Sequence, residues 1–233
     1  MSYSPKFIEL QTQFMEELFS IEYSSYATMA SNDESKYLTE INGSILVFDE
    51  DEKLIDIAGK FSFMYVNISL AEQDGFSLYE LFDSDHDLLV ISECIWDGEN
   101  DVLKSIDAKN FDIFNGDNLF VLQFIEISEK YRGRNLSVVA IKDAISRFGN
   151  GCSLMVFRLF TLQHTPQDPI NEEEKKWLEK LNLDALEADE EQAFYKLAAF
   201  FQSIGFTNIE DDVFALNLAY TNKLDDFSIR ERD

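Results

Sequence analysis

The sequence predicts a mixed α/β fold, a central sheet carrying helices on its faces. Three observations predict it. Residues 118–149 read as strand, tight turn and helix, and residues 152–162 as a further strand, which together make a β-α-β unit. Residues 44–67 read as a hairpin around the acidic turn Asp49-Glu50-Asp51-Glu52-Lys53. Residues 190–204 place Ala193, Phe194, Leu197, Phe200, Phe201 and Ile204 at helical spacing, ahead of a last strand at 213–220.

The remaining elements follow in order. Residues 6–28 read as an amphipathic helix through Phe7, Leu10, Phe14, Leu18 and Ile21, and 24–36 as a polar loop. In the hairpin, the first strand is 44–48 and the second is 54–67, interrupted at Gly59 and Lys60. Residues 76–82 read as a short helix and the apolar run 87–96 as a strand. Residues 97–116 form a polar loop with a helical turn at 101–106. After the β-α-β unit come a proline-containing turn at 164–169 and a charged helix at 172–186 whose apolar side is Trp177, Leu178 and Leu181. The charged tail from Asp225 is expected to fray.

A chain of 233 residues that is 45% hydrophobic can bury a real core, so a single domain spanning 1–233 is expected. Its 21 phenylalanines predict thick packing between sheet and helices. The net charge of −26 repels phosphate and excludes nucleic acid as a partner. Two readings of that charge stand: a solvating surface, or a field for cationic partners such as amines, polyamines and basic peptides. Cys94 and Cys152 lie far apart in strand-like runs, which predicts buried free thiols rather than a disulfide or zinc site. His86 and His164, the only histidines, are expected in exposed loops. No secretory leader and no 18-residue apolar run is read, so the expected setting is the cytosol, with no membrane.

The chemistry concentrates in residues 118–149. The apolar run 119–127 feeds the turn Ser128-Glu129-Lys130-Tyr131-Arg132-Gly133-Arg134-Asn135, and a helix follows with Val138, Val139, Ile141, Ala144, Ile145 and Phe148 at helical spacing. The first N–H groups of such a helix have no internal partner and sit at the positive end of its dipole. Gly133 allows close backbone approach, and Arg132 and Arg134 add positive charge. Asn135 or Ser137 supplies the cap. The physical reading is a phosphate-bearing ligand at the start of this helix.

The run Ile127-Ser128-Glu129-Lys130-Tyr131-Arg132-Gly133-Arg134-Asn135-Leu136-Ser137 resembles the acetyl-CoA motif of the GNAT superfamily of N-acetyltransferases. That motif is an apolar strand, an acidic-aromatic turn ending in Tyr-Arg-Gly, then Gln/Arg-x-x-Gly-x-Gly/Ala. Arg132 takes the Gln/Arg position, Asn135 the first Gly and Ser137 the last Gly/Ala, so two of the three depart from the pattern. Residues 198–206, ending Ile204-Gly205-Phe206, resemble the family's closing helix. The resemblance implies a mostly antiparallel mixed sheet flanked by helices on both faces, with an atypical portion 1–117 and a cofactor-binding core 118–220.

It also implies acetyl-CoA as co-substrate and an amine as acceptor, with a second copy of the chain among the candidate partners. The pyrophosphate would rest on the turn formed by Arg132, Gly133, Arg134, Asn135, Leu136 and Ser137. The pantetheine arm would run beside Ile125 and Ile127, in a gap between this strand and the next. Glu126, a carboxylate inside an apolar strand, is the first candidate for general base, and Glu93 the second. Phe201 stands where many family members carry a proton-donating Tyr. Tyr195 is about 600° round the same helix at ~100° per residue and faces elsewhere. Two further readings stay open: a GNAT-fold acyl-CoA-binding or interaction module without catalysis, and an acidic partner for a basic protein.

Overall fold

The computed structural model describes residues 17–27, 33–98, 102–103, 116–165 and 169–231. One sheet of seven strands organises them, in the spatial order β1 (Leu18–Ala27), β2 (Leu38–Phe48), β3 (Leu54–Val66), β6 (Asn118–Ile127), β7 (Cys152–Arg158), β9 (Val213–Asn217) and β8 (Thr207–Glu210). Every neighbouring pair is antiparallel except β6 and β7. Two short strands, β4 (Trp96–Asp97) and β5 (Val102–Leu103), pair separately.

Helices cover both faces, as the sequence predicts. On one face α4 (Leu136–Phe148) and α6 (Glu190–Ser203) bury Val138, Ile141, Ala198 and Phe201 against Phe61, Phe63, Phe120 and Phe157. On the other, α1 (Ile68–Asp74), α2 (Leu78–Phe82) and α3 (His86–Ile95) bury Ile68, Leu81, Leu88 and Ile91 against Met64, Leu119 and Val121. The charged α5 (Glu172–Leu181) buries only Trp177 and Leu181.

Three expectations are corrected. Residues 18–27 form an edge strand rather than the end of a helix; 6–16 lie outside the described residues. Leu18 and Ile21 fit a helical spacing, but Phe19, Ile21 and Tyr23 alternate and turn inward at period two, and pairing with β2 decides it. The apolar run 87–96 is helical, not extended. The Asp85 carboxylate accepts from the Leu88 N–H at 3.0 Å, and Leu88, Ile91 and Ile95 bury at three- and four-residue spacing. The tail does not fray. Leu224 is buried, Lys142 pairs with Asp225 at 2.7 Å, and the Arg230 N–H donates to the Arg134 carbonyl at 3.1 Å. Strand β8 had no sequence signal, and the expected turn at 101–106 falls largely outside the described residues.

Two features of β6 place the site. Its register with β3 slips so that Ser62 faces Phe124 while Phe63 faces Leu122, which makes Gln123 the extra residue of a β-bulge. The Ser62 hydroxyl holds the Gln123 side-chain oxygen at 2.7 Å. The bulge shifts side-chain parity. Before it, Phe120 and Leu122 join the core on the α4 side; after it, Ile125 and Ile127 do. Glu126 consequently faces away from α4. The second feature is that β6 and β7 pair only from Asn118/Cys152 to Val121/Val156 and then part.

Phe157 stands at the point of parting, with its ring centroid 4.4 Å from that of Phe201, 5.2 Å from Phe206 and 5.6 Å from Phe214. Phe157→Ala is expected to cost about 3–5 kcal/mol of stability, the usual range for a buried phenylalanine. Urea denaturation checks it; a loss below about 1 kcal/mol would show that the cluster collapses around the void.

Candidate active site

Where β6 and β7 part, a cleft of about 400 Å³ opens. Residues 122–127 form one wall and 157–163 the other. Helix α6 contributes Ala193, Leu197, Phe200 and Phe201, and the segment before it contributes Leu181, Leu183 and Leu186. The interior is therefore largely apolar. From Leu122 onward β6 pairs with β3 alone, so its other edge presents backbone groups to the cleft. Such an edge suits an extended ligand that carries amides of its own.

The turn after β6 is built from local chemistry. The Ser128 N–H donates to the Ala58 carbonyl at 2.9 Å, and the buried Tyr131 hydroxyl donates to the Asp56 carboxylate at 3.1 Å. Gly133 has φ +80°, is exposed, and has nothing within 4 Å of where a Cβ would stand. Asn135 takes the left-handed conformation at φ +62°, a role open to Asn as well as Gly. It caps nothing with its side chain; its amide donates to the Ser228 carbonyl at 2.9 Å. Ser137 lines the cleft and Leu136 buries its side chain in the core. Among the described residues, the N–H groups from Gly133 to Ser137 carry no backbone hydrogen bond. They form an unpaired cluster at the positive end of α4.

The two arginines are committed elsewhere. Arg132 donates through Nε to the Ile127 carbonyl at 3.2 Å and through its guanidinium to the Leu181 carbonyl; burial pulls its pKa below the usual arginine value. Arg134 pairs with Glu17, donates through Nε to the Arg230 carbonyl at 2.9 Å, and lies 4.6 Å over the Phe19 ring. Positive charge near the turn is thus spent on holding α5 and the tail. The structure leaves the backbone amides as the groups that fit a phosphate.

Glu126 lines the cleft from β6. Its Oε2 accepts from the Trp177 indole N–H at 2.6 Å. Burial pushes its pKa up from the ordinary glutamate value, against the opposing effects of the Trp177 bond and the Lys60 charge. Ile125 and Ile127 line the same wall from the opposite parity. Glu93 sits exposed on the outer face of α3, away from the cleft lining; the strand expected for its segment would have placed it otherwise. Phe201 is buried among aromatic rings and holds no proton to give. Tyr195 is 61% exposed on another face of α6.

The other chemically active side chains are structural. Burial pushes the Cys152 thiol up to about 12, so it is inert as a nucleophile, and Cys94 rides half-buried on α3. His86 opens α3, and His164 Nε2 lies 3.3 Å from the Glu187 carbonyl. Among the described residues no cluster of three His, Cys, Asp or Glu side chains forms a metal site, and no helix is long and apolar enough to cross a membrane. Trp177 and Lys60, which surround Glu126, escaped sequence reasoning. The tryptophan was visible only as the apolar side of a charged helix.

No family model matches the sequence, and no curated protein matches it. Among solved structures, the chain is similar to arylalkylamine N-acetyltransferase 2 from Aedes aegypti, at 13% identity over 75% of this chain and 73% of that one, with a TM-score of 0.29.

A carboxyl whose folded pKa is raised stabilises the fold below its unfolded value of 4.5 and loses that contribution as pH rises through the folded value. At pH 7, above that unfolded value, Glu126 is therefore a net cost to the fold. Glu126→Gln is expected to be more stable than the parent at pH 7, with the difference shrinking below pH 4.5. Denaturation midpoints at the two pH values test this, and a pH-independent difference would refute it.

Proposed function

We propose that this protein is a GNAT-type N-acetyltransferase that moves the acetyl group of acetyl-CoA to an amine. The observation that carries the reading is the parting of parallel β6 and β7 beside the unpaired N–H groups from Gly133 to Ser137. The motif resemblance at residues 127–137 supports it independently of the geometry.

In this reading the pantetheine arm pairs with the free edge of β6 beside Ile125 and Ile127. The pyrophosphate rests on the N–H groups of Gly133, Arg134, Asn135, Leu136 and Ser137, with Arg132 behind them. The acceptor arrives as an ammonium, and Glu126 takes a proton from it, directly or through water. The neutral nitrogen attacks the thioester carbonyl, whose developing oxyanion is met by a backbone N–H of the strand edge. As the C–N bond forms and the C–S bond breaks, the nitrogen's second proton passes to solvent and leaves the amide neutral, and Glu126 then releases its own proton to solvent. Coenzyme A departs as a thiolate and takes its proton from solvent, since Phe201 has none to donate. The net charge of −26 favours a cationic acceptor over an anionic one.

A second reading is a module of the same fold that binds acyl-CoA without turnover. Phe201 at the acid position and the two internally engaged arginines favour it. Calorimetric titration with acetyl-CoA separates the outcomes. Micromolar binding, about −8 kcal/mol, is expected. Leu197→Trp, which fills the cleft from α6, is expected to abolish it while leaving the melting temperature near the parent's. Thiol release across a panel of amines then separates an enzyme from a binding module. Absence of binding by the parent protein overturns both.

A further inference from the structure

Glu126 is held by an element outside the strand–turn–helix unit. Helix α5 is capped by Asn171, whose side chain accepts from the N–H groups of Glu173 and Glu174, and most of its surface is solvated. Among the described residues, three hydrogen bonds tie it to the body of the protein. Trp177 donates to Glu126, Lys180 bonds the Asp56 carboxylate at 2.6 Å, and the Leu181 carbonyl receives Arg132. The first and last contacts join the carboxylate in the cleft to the turn beside α4 through a single helix.

The Trp177 contact is specific in its chemistry. The indole is only 8% exposed, and its N–H can donate but never accept. It bonds Oε2 alone, and no hydrogen bond from another described residue reaches Oε1. Lys60, the register partner of Glu126 on β3, places its ammonium 4.8 Å from the centroid of the Trp177 ring. A packing role alone would be served by any aromatic ring. The N–H at 2.6 Å is what a phenylalanine cannot supply.

We propose that Trp177 is a positioning residue for Glu126: its indole N–H fixes one carboxylate oxygen and leaves Oε1 to receive the proton of the acceptor ammonium. The acceptor part of this statement rests on the acetyltransferase reading; the Trp177–Glu126 bond does not. The charged groups around Glu126 are few. Lys60 faces it from β3, and α5 presents the neutral indole. Elsewhere along the cleft, Arg132 is held by two carbonyls, Arg158 by Asp87 and Asp212, and Lys196 by Glu187. Lys60 and the indole N–H together oppose the burial that favours the neutral acid.

The first test needs no substrate. The sequence has two tryptophans, so the fluorescence pH titration of the parent minus that of Glu126→Gln isolates what Trp177 senses. A single midpoint above the ordinary glutamate range, absent in Glu126→Gln and moved upward in Lys60→Met, is expected. No Glu126-dependent midpoint overturns the proposal. The second test uses Trp177→Phe, which keeps the ring and removes the donor. With acetyl-CoA and a turned-over amine, the acid limb of kcat/KM is expected to move up by about one pH unit, the scale of a lost hydrogen bond to a charged group, with KM for acetyl-CoA unchanged. An unmoved limb reduces Trp177 to packing and overturns the positioning role. If no amine is turned over, the acetyltransferase reading fails, and the fluorescence midpoint still decides whether Trp177 holds Glu126.

Discussion

The molecule is organised by the place where two parallel strands stop pairing. Over residues 118–121, β6 and β7 share a ladder; beyond Val121 and Val156 each stays with its antiparallel partner, β3 on one side and β9 on the other. The bulge at Gln123 adds local bend and twist to β6 just past that point. Opening a sheet at its centre exposes backbone donors and acceptors that would otherwise be satisfied. The gap is then lined by Phe157, Phe201 and a set of leucines instead of closing. An apolar cleft with one unpaired strand edge is a demanding combination, because the walls repel water while the edge still requires partners. A thin, amide-bearing chain satisfies both.

The same bulge determines what chemistry the cleft can contain. Without the extra residue, the alternation set by Phe120 and Leu122 would send Glu126 into the α4 core and Ile125 outward. With it, the isoleucines stay in the apolar wall and the carboxylate reaches Trp177 and Lys60 on the other side. A buried carboxylate in a core of phenylalanines would be costly. Set at the margin of the cleft, it keeps one donor and one nearby ammonium that oppose the burial raising its pKa.

Local chemistry made part of this legible. The stretch 118–148 could be read because an apolar strand, a Gly- and Asn-containing turn and a helical apolar stripe each follow from neighbouring residues. Gly133 and Asn135 take positive φ as their types allow. Glu126 stood out because a carboxylate interrupts an apolar run. Segment 87–96 was misread because an apolar run of that length fits either state, and the cap at Asp85 was the signal that discriminates. Strand β1 was misread because Leu18 and Ile21 fit the helical spacing, while the alternation of Phe19, Ile21 and Tyr23 overlaps it. The polar sequence Thr207–Glu210 extends only because β9 lies beside it. The partners of Glu126 and of the arginines were beyond reach for one reason. They depend on a bulged register between β3 and β6, on the docking of α5 and on the return of the tail to Arg134, and no local pattern encodes such contacts.

The arginines bear on how an acidic protein could hold a phosphate at all. The net charge of −26 sets a repulsive field for an anion, and the two cations nearest the α4 N-terminus are turned inward. Arg132 supports the C-terminal carbonyl of α5, where a positive group meets the negative end of the helix dipole. Arg134 closes the tail and the Glu17 segment over the turn. Both stabilise the loop that presents the amides, through partners within the chain. In the acetyltransferase reading, recognition would fall to the N–H groups of residues 133–137, which are fixed in direction and cost nothing to orient. Such a cluster acts at contact distance, and surface charges more than a Debye length of about 8–10 Å away are largely screened there. In that reading the arrangement separates attraction from solubility: the surface stays anionic, and affinity for phosphate would be confined to one turn of backbone whose geometry the arginines maintain.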